Sequence, residues 1–206
     1  MEKFINLPQE KQKYIIDGAL TIFGSNGYKK SSVSDIASAA GISKAMVFHY
    51  FGTKKALYLY LLDMCSNLII DAINEKYDDT ITDFFDRMLN ASNIKISVMK
   101  KHPAIISFLT SAYFETDHEV QDDIKLILKQ GEEIRSRIAF NGVDASKFKD
   151  GIDIKVVMKI LIWLAEGFVN NTNMKYDMDL DLDHLFNEYF ECMNVIKDNF
   201  YKEEYL

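Results

Sequence analysis

The residues of this sequence best suited to contact a partner molecule lie in one stretch, GISKAMVFHYFGTKKAL (residues 41–57). It combines lysine, methionine, histidine and aromatic residues within two helical turns, and two further lysines follow directly. Lysine donates hydrogen bonds to phosphates and guanine edges, and methionine can contact a thymine methyl group. The mixture predicts a short helix that reads the major groove of DNA.

Residues 33–50 have the pattern of a helix-turn-helix that would position this stretch. Ser31 and Ser32 both offer oxygens that could cap a first short helix, and Ser43 is placed to cap a second helix of barely two turns. Gly41 between them permits the turn. The side chains expected to face outward from the second helix are Lys44, Ala45, Met46, His49 and Tyr50.

Two lysines follow at the start of a third helix, which Thr53 is placed to cap and which extends to about residue 76. Lys54 and Lys55 would oppose the helix macrodipole there, because a helix N-terminus favours negative charge. A phosphate bound at the same amide groups would reverse that balance. The alternative is two solvated lysines, but their place after a helix-turn-helix favours phosphate contacts.

The charge of the chain is unevenly distributed, although its net value is −7. Residues 1–56, called the head below, hold eight lysines and four acidic residues, a net charge of +4. Residues 57–206, called the body, hold 16 basic and 27 acidic residues, a net charge of −11. A basic head on an acidic body is compatible with DNA binding and predicts two domains, 1–56 and 57–206.

Helical periodicity extends through the whole chain, and no sustained alternating strand pattern is present. The sequence therefore predicts an all-α fold, in which three short N-terminal helices precede a larger helical domain. Beyond the helices already described, we expect helices at about residues 10–23, 81–100, 103–114, 118–140, 153–173 and 183–201.

The compartment expected from the sequence is the cytoplasm. The N-terminal residues lack the apolar core of a signal peptide. The most apolar segment, residues 156–169, contains Lys159 and Glu166 and is too short to span a bilayer, so no membrane partner is expected. Cys65 and Cys192 lie far apart and suit a reducing environment.

Residues 15–57 resemble the TetR family of bacterial transcriptional regulators, through AxxIFxxxGYxxSSVxxIAxxAGISxAxxFHYFxxKxAL from residue 19 to residue 57. The resemblance implies a repressor that leaves a palindromic DNA operator when a small-molecule effector binds its body. It implies no enzymatic activity and no cofactor. The DNA-contacting residues that we expect are Ser32, Val33, Ser34, Ser43, Lys44, Ala45, Met46, Phe48, His49, Tyr50, Lys54 and Lys55.

Three positions depart from the usual family pattern. Ala45 stands where glycine is common, Met46 where threonine is common, and Phe48 where tyrosine is common. Phe48 lacks the hydroxyl that would bond a phosphate. Met46 is expected to alter base preference rather than to abolish binding.

The body is expected to form a homodimer through its last two helices, by analogy with the family. Both helices carry wide apolar faces, although such faces could instead complete a monomer core. The residues concerned are Val156, Ile160, Trp163, Leu164 and Phe168 on one helix, and Leu185, Tyr189, Cys192, Met193 and Ile196 on the other.

An effector pocket is predicted from aromatic, methionine and acidic residues of the body, each of which could instead be plain core. Glu166 stands in an apolar segment, where a carboxylate needs a partner. That partner could be a cationic effector or a basic side chain across a dimer. The candidate lining residues are Met99, Phe108, Tyr113, Phe114, Met158, Trp163 and Glu166.

Other classes of protein and site are weaker interpretations. An all-α enzyme would need a catalytic or metal constellation that the sequence lacks. A protein-interaction module with a decayed DNA-binding head stays open because of Phe48. Residues 177–188 space acidic residues like an EF-hand but have Leu182 where glycine is required. His118 and Asp122 share a helix face without further metal ligands nearby, so no metal is expected.

Overall fold

The computed structural model describes residues 1–171 and 182–206 as α-helices joined by short connections, with no β-sheet in these two ranges. The all-α prediction is confirmed. The acidic segment 177–181 and the predicted helix end at residue 173 lie outside the described residues. In chain order the helices are α1 (Glu2–Ile5), α2 (Gln9–Lys30), α3 (Val33–Ala39), α4 (Lys44–Phe51), α5 (Lys54–Lys76), α6 (Phe84–Lys101), α7 (Pro103–Tyr113), α8 (Gln121–Phe140), α9 (Ile154–Asn171) and α10 (Leu182–Phe200).

The predicted caps of the helix-turn-helix are confirmed. The side chains of Ser32, Ser43 and Thr53 accept hydrogen bonds from backbone amides in the first turns of α3, α4 and α5, at 3.0–3.3 Å. Each bond satisfies an amide that has no partner within its helix. Gly41 adopts a φ of 64°, a conformation that favours glycine, and so allows the tight turn between α3 and α4.

Helix α2 is interrupted within residues 24–28, where its end was predicted. Gly27 has a non-helical conformation (φ 73°, ψ 176°), and helical structure resumes beyond this kink as far as Lys30. The buried Ser31 hydroxyl donates a 2.6 Å hydrogen bond to the carbonyl of Gly27. This hydrogen bond connects the kink to the residue that leads into α3.

Helix α1 was not anticipated from the sequence. Its Phe4 is fully buried, and the ring lies 4.8 Å from that of Phe51 and 5.8 Å from that of Tyr60. These two rings belong to α4 and α5. Helix α1 therefore covers the junction between the second helix of the helix-turn-helix and the body.

Helix α5 connects two apolar clusters. Its first half, including Leu57, Leu61 and Cys65, packs with α2, α4 and α7. Its second half, including Ile73, packs with α6, α8, α9 and α10. Among the described residues, α5 alone is long and apolar enough to cross a bilayer by length and composition. Its buried residues identify it as a core helix here.

The body helices begin close to their predicted positions, with two shifts that local caps explain. Helix α6 begins at Phe84 rather than residue 81 because the Asp83 carboxylate accepts the amide hydrogen bond of Asp86 at 3.1 Å. Helix α8 begins at Gln121 rather than residue 118, because the backbone of Asp117 forms a turn that delays it.

Candidate nucleic-acid interface and effector pocket

Helix α4 presents one polar and aromatic face to solvent. Lys44, Ala45 and His49 are exposed, and 43% of the Phe48 surface is accessible. Met46 is partly buried and packs against the core of the head. A helix of two turns with such a face fits the major groove and can contact base edges.

Tyr50 does not face outward as predicted. Its side chain is 8% exposed, and its ring lies 6.2 Å from that of Phe4 in an edge-to-face arrangement. Together with the buried Val47 and Phe51, it forms the inner face of α4. The sequence analysis assigned Tyr50 to the solvent-facing side of α4, because it did not predict that helix α1 covers the side on which Tyr50 lies.

The N-terminus of α3 is also accessible. Ser32 and Ser34 are exposed and Val33 is partly exposed. The Ser32 hydroxyl caps the helix and donates a 2.6 Å hydrogen bond to the carboxylate of Asp35. Free amide groups at such an end can receive a phosphate, so the predicted backbone contacts of these residues are compatible with the geometry.

Lys54 is directed into the protein. Its ammonium group donates to the carbonyls of Tyr28 (3.0 Å) and Ser31 (3.3 Å) and lies 4.1 Å from the centre of the Tyr28 ring. These carbonyls terminate α2, so the lysine caps the end of that helix. Its predicted phosphate contact stays a prediction. The structure shows in addition that Lys54 bonds the end of α2.

Lys55 is paired with the body. Its ammonium group lies 2.7 Å from the carboxylate of Asp123 on α8, and both side chains are partly solvent-accessible. An ion pair of this kind contributes little stability by itself. It nevertheless draws Lys55 toward α8, so its predicted phosphate contact likewise stays a prediction.

A group of adjoining cavities lies in the body, lined by residues of α5, α6, α7, α8, α9 and α10. Their volumes are about 350, 290 and 150 Å³. All three share Lys95, and the two larger cavities also share Tyr113, Arg135 and Met158. Most of the lining is apolar, which is typical of small-molecule sites.

Five of the seven predicted pocket residues line the 350 Å³ cavity: Met99, Tyr113, Phe114, Met158 and Glu166. Phe108 does not, because it is fully buried in the core between α2, α5 and α7, with its ring 5.3 Å from that of Tyr58. Trp163 does not either, since it is 58% exposed on the outside of α9. For these two residues the pocket prediction is wrong.

Glu166 has a partner within its own chain. The hydroxyl of Tyr113 donates a hydrogen bond to the Glu166 carboxylate. Burial, together with this carboxylate, raises the pKa of Tyr113 to about 12, so the phenol stays protonated near neutral pH. The partners that the sequence suggested for Glu166 were a cationic effector or a basic side chain across a dimer, and Tyr113 was not among them.

Comparison with known proteins now bears on this arrangement. The profile of the family described as "Bacterial regulatory proteins, tetR family" matches residues 15–61, which include the helix-turn-helix and the start of α5. The head of the chain therefore matches the TetR family of regulators. The chain is a DNA-binding transcriptional regulator and not an enzyme.

Relatives and solved structures extend the likeness over the body. The chain is 24% identical to the fatty acid metabolism regulator protein of Bacillus subtilis, covering 91% of this chain and 96% of that protein. It is 32% identical over 65 residues to the biofilm operon negative transcriptional regulator IcaR of Staphylococcus epidermidis, covering 32% of this chain and 35% of that protein. The crystal structure of FadR from Bacillus subtilis in complex with stearoyl-CoA has the same fold, with a TM-score of 0.69, 22% identity, and coverage of 88% and 96%.

Three residues of the body were missed by the sequence analysis. Lys95 and Arg135 line the cavities, and Glu115 connects the body to the head. Lysine, arginine and glutamate on polar helix faces are ordinary surface residues in a sequence. Only a charge within an apolar segment, as in the case of Glu166, would have stood out.

Proposed function

We propose that this chain is a homodimeric repressor that leaves a palindromic operator when a small-molecule effector enters its body. The observation that carries the proposal is that α4 presents a solvent-facing surface and packs in the same apolar core as α5. Helix α5 in turn lines one of the cavities. The head, residues 1–56, binds DNA, and the body, residues 57–206, dimerises and binds the effector. A protein that acts on the chromosome belongs in the cytoplasm.

Dimerisation through α9 and α10 is supported by the apolar side chains that these helices leave exposed. Val156, Trp163 and Val195 are each more than half exposed, and Cys192, three residues before Val195 on α10, is exposed as well. Leu185 and Met193, in contrast, are buried within the protomer. Two-fold symmetry in the protein matches two-fold symmetry in an operator, with half-sites about one helical turn apart or a multiple of it.

The contacts at the end of α7 support a route from effector to DNA. Tyr113 and Phe114 line the 350 Å³ cavity, and the next residue, Glu115, accepts a 2.7 Å hydrogen bond from the amide of Tyr28. The carbonyl of Tyr28 accepts from Lys54, which begins the helix after the helix-turn-helix. A shift of α7 on effector binding would therefore move the head and alter the spacing of the two α4 helices in a dimer.

The first effectors to test are acyl compounds. The Bacillus subtilis relative is named as a regulator of fatty acid metabolism, and the similar FadR structure contains stearoyl-CoA. Repression is supported by the likeness of a 65-residue stretch of the chain to the negative regulator IcaR. No cofactor other than the effector is part of the proposal.

The test is selection of bound sequences from a random duplex library, with the purified protein at moderate salt. We expect an enriched inverted repeat, because each protomer presents one α4. Lys44→Ala should weaken binding to all sequences alike, and Met46→Ala should change the preferred base pair at one position of each half-site. Lys101→Ala, on the exposed surface of α6, is the matched control and should behave as the wild type.

Two outcomes would contradict the proposal. If only weak, salt-dependent binding without an enriched sequence is found, the head has lost sequence recognition and an interaction role for the body becomes the better account. If Met46→Ala weakens binding uniformly without a change of preference, its proposed role in base recognition is refuted.

A further inference from the structure

Lys95 is the charged residue at the meeting point of the three body cavities. It projects from α6, is partly buried, and contributes to the lining of each cavity. The ammonium group of Lys95 makes no hydrogen bond or ion pair with any residue in the part of the chain that the structure describes. Burial lowers its pKa, and the nearby Arg135 lowers it further, so the protein environment disfavours its charged form.

Arg135, on α8, adds a second positive charge to the same space. It is partly buried and lines the two larger cavities beside Lys95. Within the described residues it likewise has no carboxylate at ion-pair distance. The acidic groups that face these cavities are Glu166, whose carboxylate already accepts from Tyr113, and Glu132, which is exposed on α8.

Two neighbouring cations are unfavourable in a partly buried site where no described carboxylate lies at ion-pair distance from either of them. An anion placed between them would relieve their repulsion and would accept charge-assisted hydrogen bonds from both. The space around them is apolar. Its lining includes Ile69, Ile73, Leu128, Met158, Phe168 and Phe186.

We propose that the effector is an amphipathic anion, with an apolar chain in the body cavities and an anionic group held between Lys95 and Arg135. The inference rests on the proposed function, since it specifies the chemistry of the same effector. A carboxylate matches the paired donors of the arginine side chain. A fatty acid carries its charge on the chain itself, whereas an acyl-CoA carries it on phosphates, because its thioester is neutral.

The experiment compares three probes with the same chain length: laurate, methyl laurate and lauroyl-CoA. Binding is measured by calorimetry on the full-length wild type, on Lys95→Met, on Arg135→Gln and on the control Lys101→Met. Methionine keeps the length of the lysine stem without its charge. We expect the wild type to bind laurate at least about tenfold more tightly than methyl laurate, because a hydrogen bond to a charged group contributes that much.

The variants should remove this preference. Lys95→Met and Arg135→Gln should each bind laurate about tenfold more weakly and methyl laurate as the wild type does, and Lys101→Met should not differ from the wild type. Without ligand, Lys95→Met should unfold at a higher temperature than the wild type, because it lacks the uncompensated charge. That measurement also shows that the variant is folded.

The remaining outcomes separate the two sources of the anion. Tight lauroyl-CoA binding that falls in Lys95→Met, together with weak laurate binding, would assign the anionic group to the phosphates. Equal binding of laurate and its methyl ester, laurate binding that is unchanged in Lys95→Met, or no binding of any probe would overturn the inference. DNA binding is measured separately, so loss of the regulator function would appear as failed operator selection while the ligand results still stand.

Discussion

Lys54 has a stabilising role that its position in the sequence did not indicate. Its ammonium group satisfies the carbonyls of Tyr28 and Ser31 and lies over the Tyr28 ring. Both carbonyls belong to the segment that leads from the kink in α2 into α3. The lysine therefore connects the N-terminus of α5 to the start of the helix-turn-helix.

We expect Lys54→Met to destabilise the protein rather than to remove a phosphate contact. The loss of two charge-assisted hydrogen bonds from a partly buried group should cost about 1–2 kcal/mol and lower the Tm by about 3–6 °C. The slope of log affinity for DNA against log salt should stay as in the wild type. Lys44→Met is the matched control and should instead reduce that slope by about 0.9 without lowering the Tm.

Thermal unfolding and DNA titrations at several salt concentrations distinguish the two roles of Lys54. A slope reduced by about one unit at an unchanged Tm would show that Lys54 contacts phosphate, as the sequence interpretation held. At the scale of the residue, exposure and hydrogen-bond partners decide between these roles.

The N-terminus of α6 depends on one buried carboxylate. Asp83 is 6% exposed, accepts the amide of Asp86, and lies 2.8 Å from the ammonium group of Lys147 and 3.9 Å from that of Lys197. Burial by itself raises the pKa of Asp83, but the hydrogen bonds from Lys147 and Asp86 and the charge of Lys197 outweigh it, so the pKa is lowered.

This lowered pKa makes the contribution of Asp83 dependent on pH. The unfolded chain takes up the proton at a higher pH than the folded chain, so the stabilisation is complete above the ordinary value of 3.8 and is lost as the pH falls through the folded value. We expect Asp83→Asn to destabilise the protein by about 2–4 kcal/mol at pH 7. The difference from the wild type should shrink below about pH 4.

Urea denaturation at pH 7 and at pH 3 measures the effect of Asp83→Asn. The matched control is Asp86→Asn, about one turn further along α6. The Asp86 carboxylate also lies near Lys197, at 3.5 Å, but it is exposed to solvent. Its loss should be much smaller. A cost of Asp83→Asn that is the same at both pH values would show that shape and hydrogen bonding, rather than charge, explain the role of Asp83.

The junction between α7 and α2 is the element that links effector and DNA in the proposed mechanism. Glu115 joins the amide of Tyr28 to the amides of Thr116 and Asp117 through its two carboxylate oxygens. The Glu115 carboxylate therefore bonds the head through one oxygen and the loop after α7 through the other.

We expect Glu115→Ala to uncouple the two domains while leaving DNA affinity close to that of the wild type. In the wild type, a saturating effector lowers operator affinity by a certain factor. In Glu115→Ala this factor should be about five times smaller, which is a typical magnitude for coupling between sites. Operator titrations with and without the effector measure it, and Asp122→Ala, an exposed change on α8, is the control. Full release by the effector in Glu115→Ala would exclude this junction as the route.

At the scale of the whole molecule, the exposed apolar side chains on α9 and α10 predict how two chains meet. Trp163 and Val195 are 58% and 61% exposed. Leu126, on α8, is 72% exposed and therefore offers a comparison on another face. A stable dimer requires about 1,200 Å² or more of buried surface, which two helices from each protomer can provide.

We expect Trp163→Asp and Val195→Asp to convert the proposed dimer to monomers, because each places a charge in the proposed apolar interface. Sedimentation velocity should show half the mass of the wild type, while Leu126→Asp should remain dimeric. Operator affinity should fall by about a hundredfold in the two monomeric variants, since both half-sites are no longer bound together. A dimer that survives both changes and is lost in Leu126→Asp would place the interface on α8.

The features that the sequence by itself determined are those that depend on neighbours along the chain. Ser32, Ser43 and Thr53 cap their helices as predicted, because a cap bonds an amide only two or three residues away. The turn at Gly41 and the all-α class follow from local conformation and periodicity in the same way. The head could be recognised from the sequence for this reason.

The tertiary structure alone decided which side chains of a helix face the core, the pocket or solvent. Phe108 and Tyr113 lie on the same helix, yet the first is buried against α2 and α5 and the second lines the cavity. Lys95 and Arg135 are forty residues apart and meet only because α6 packs beside α8. Such contacts depend on how distant helices cross, and a pattern along one chain does not contain that geometry.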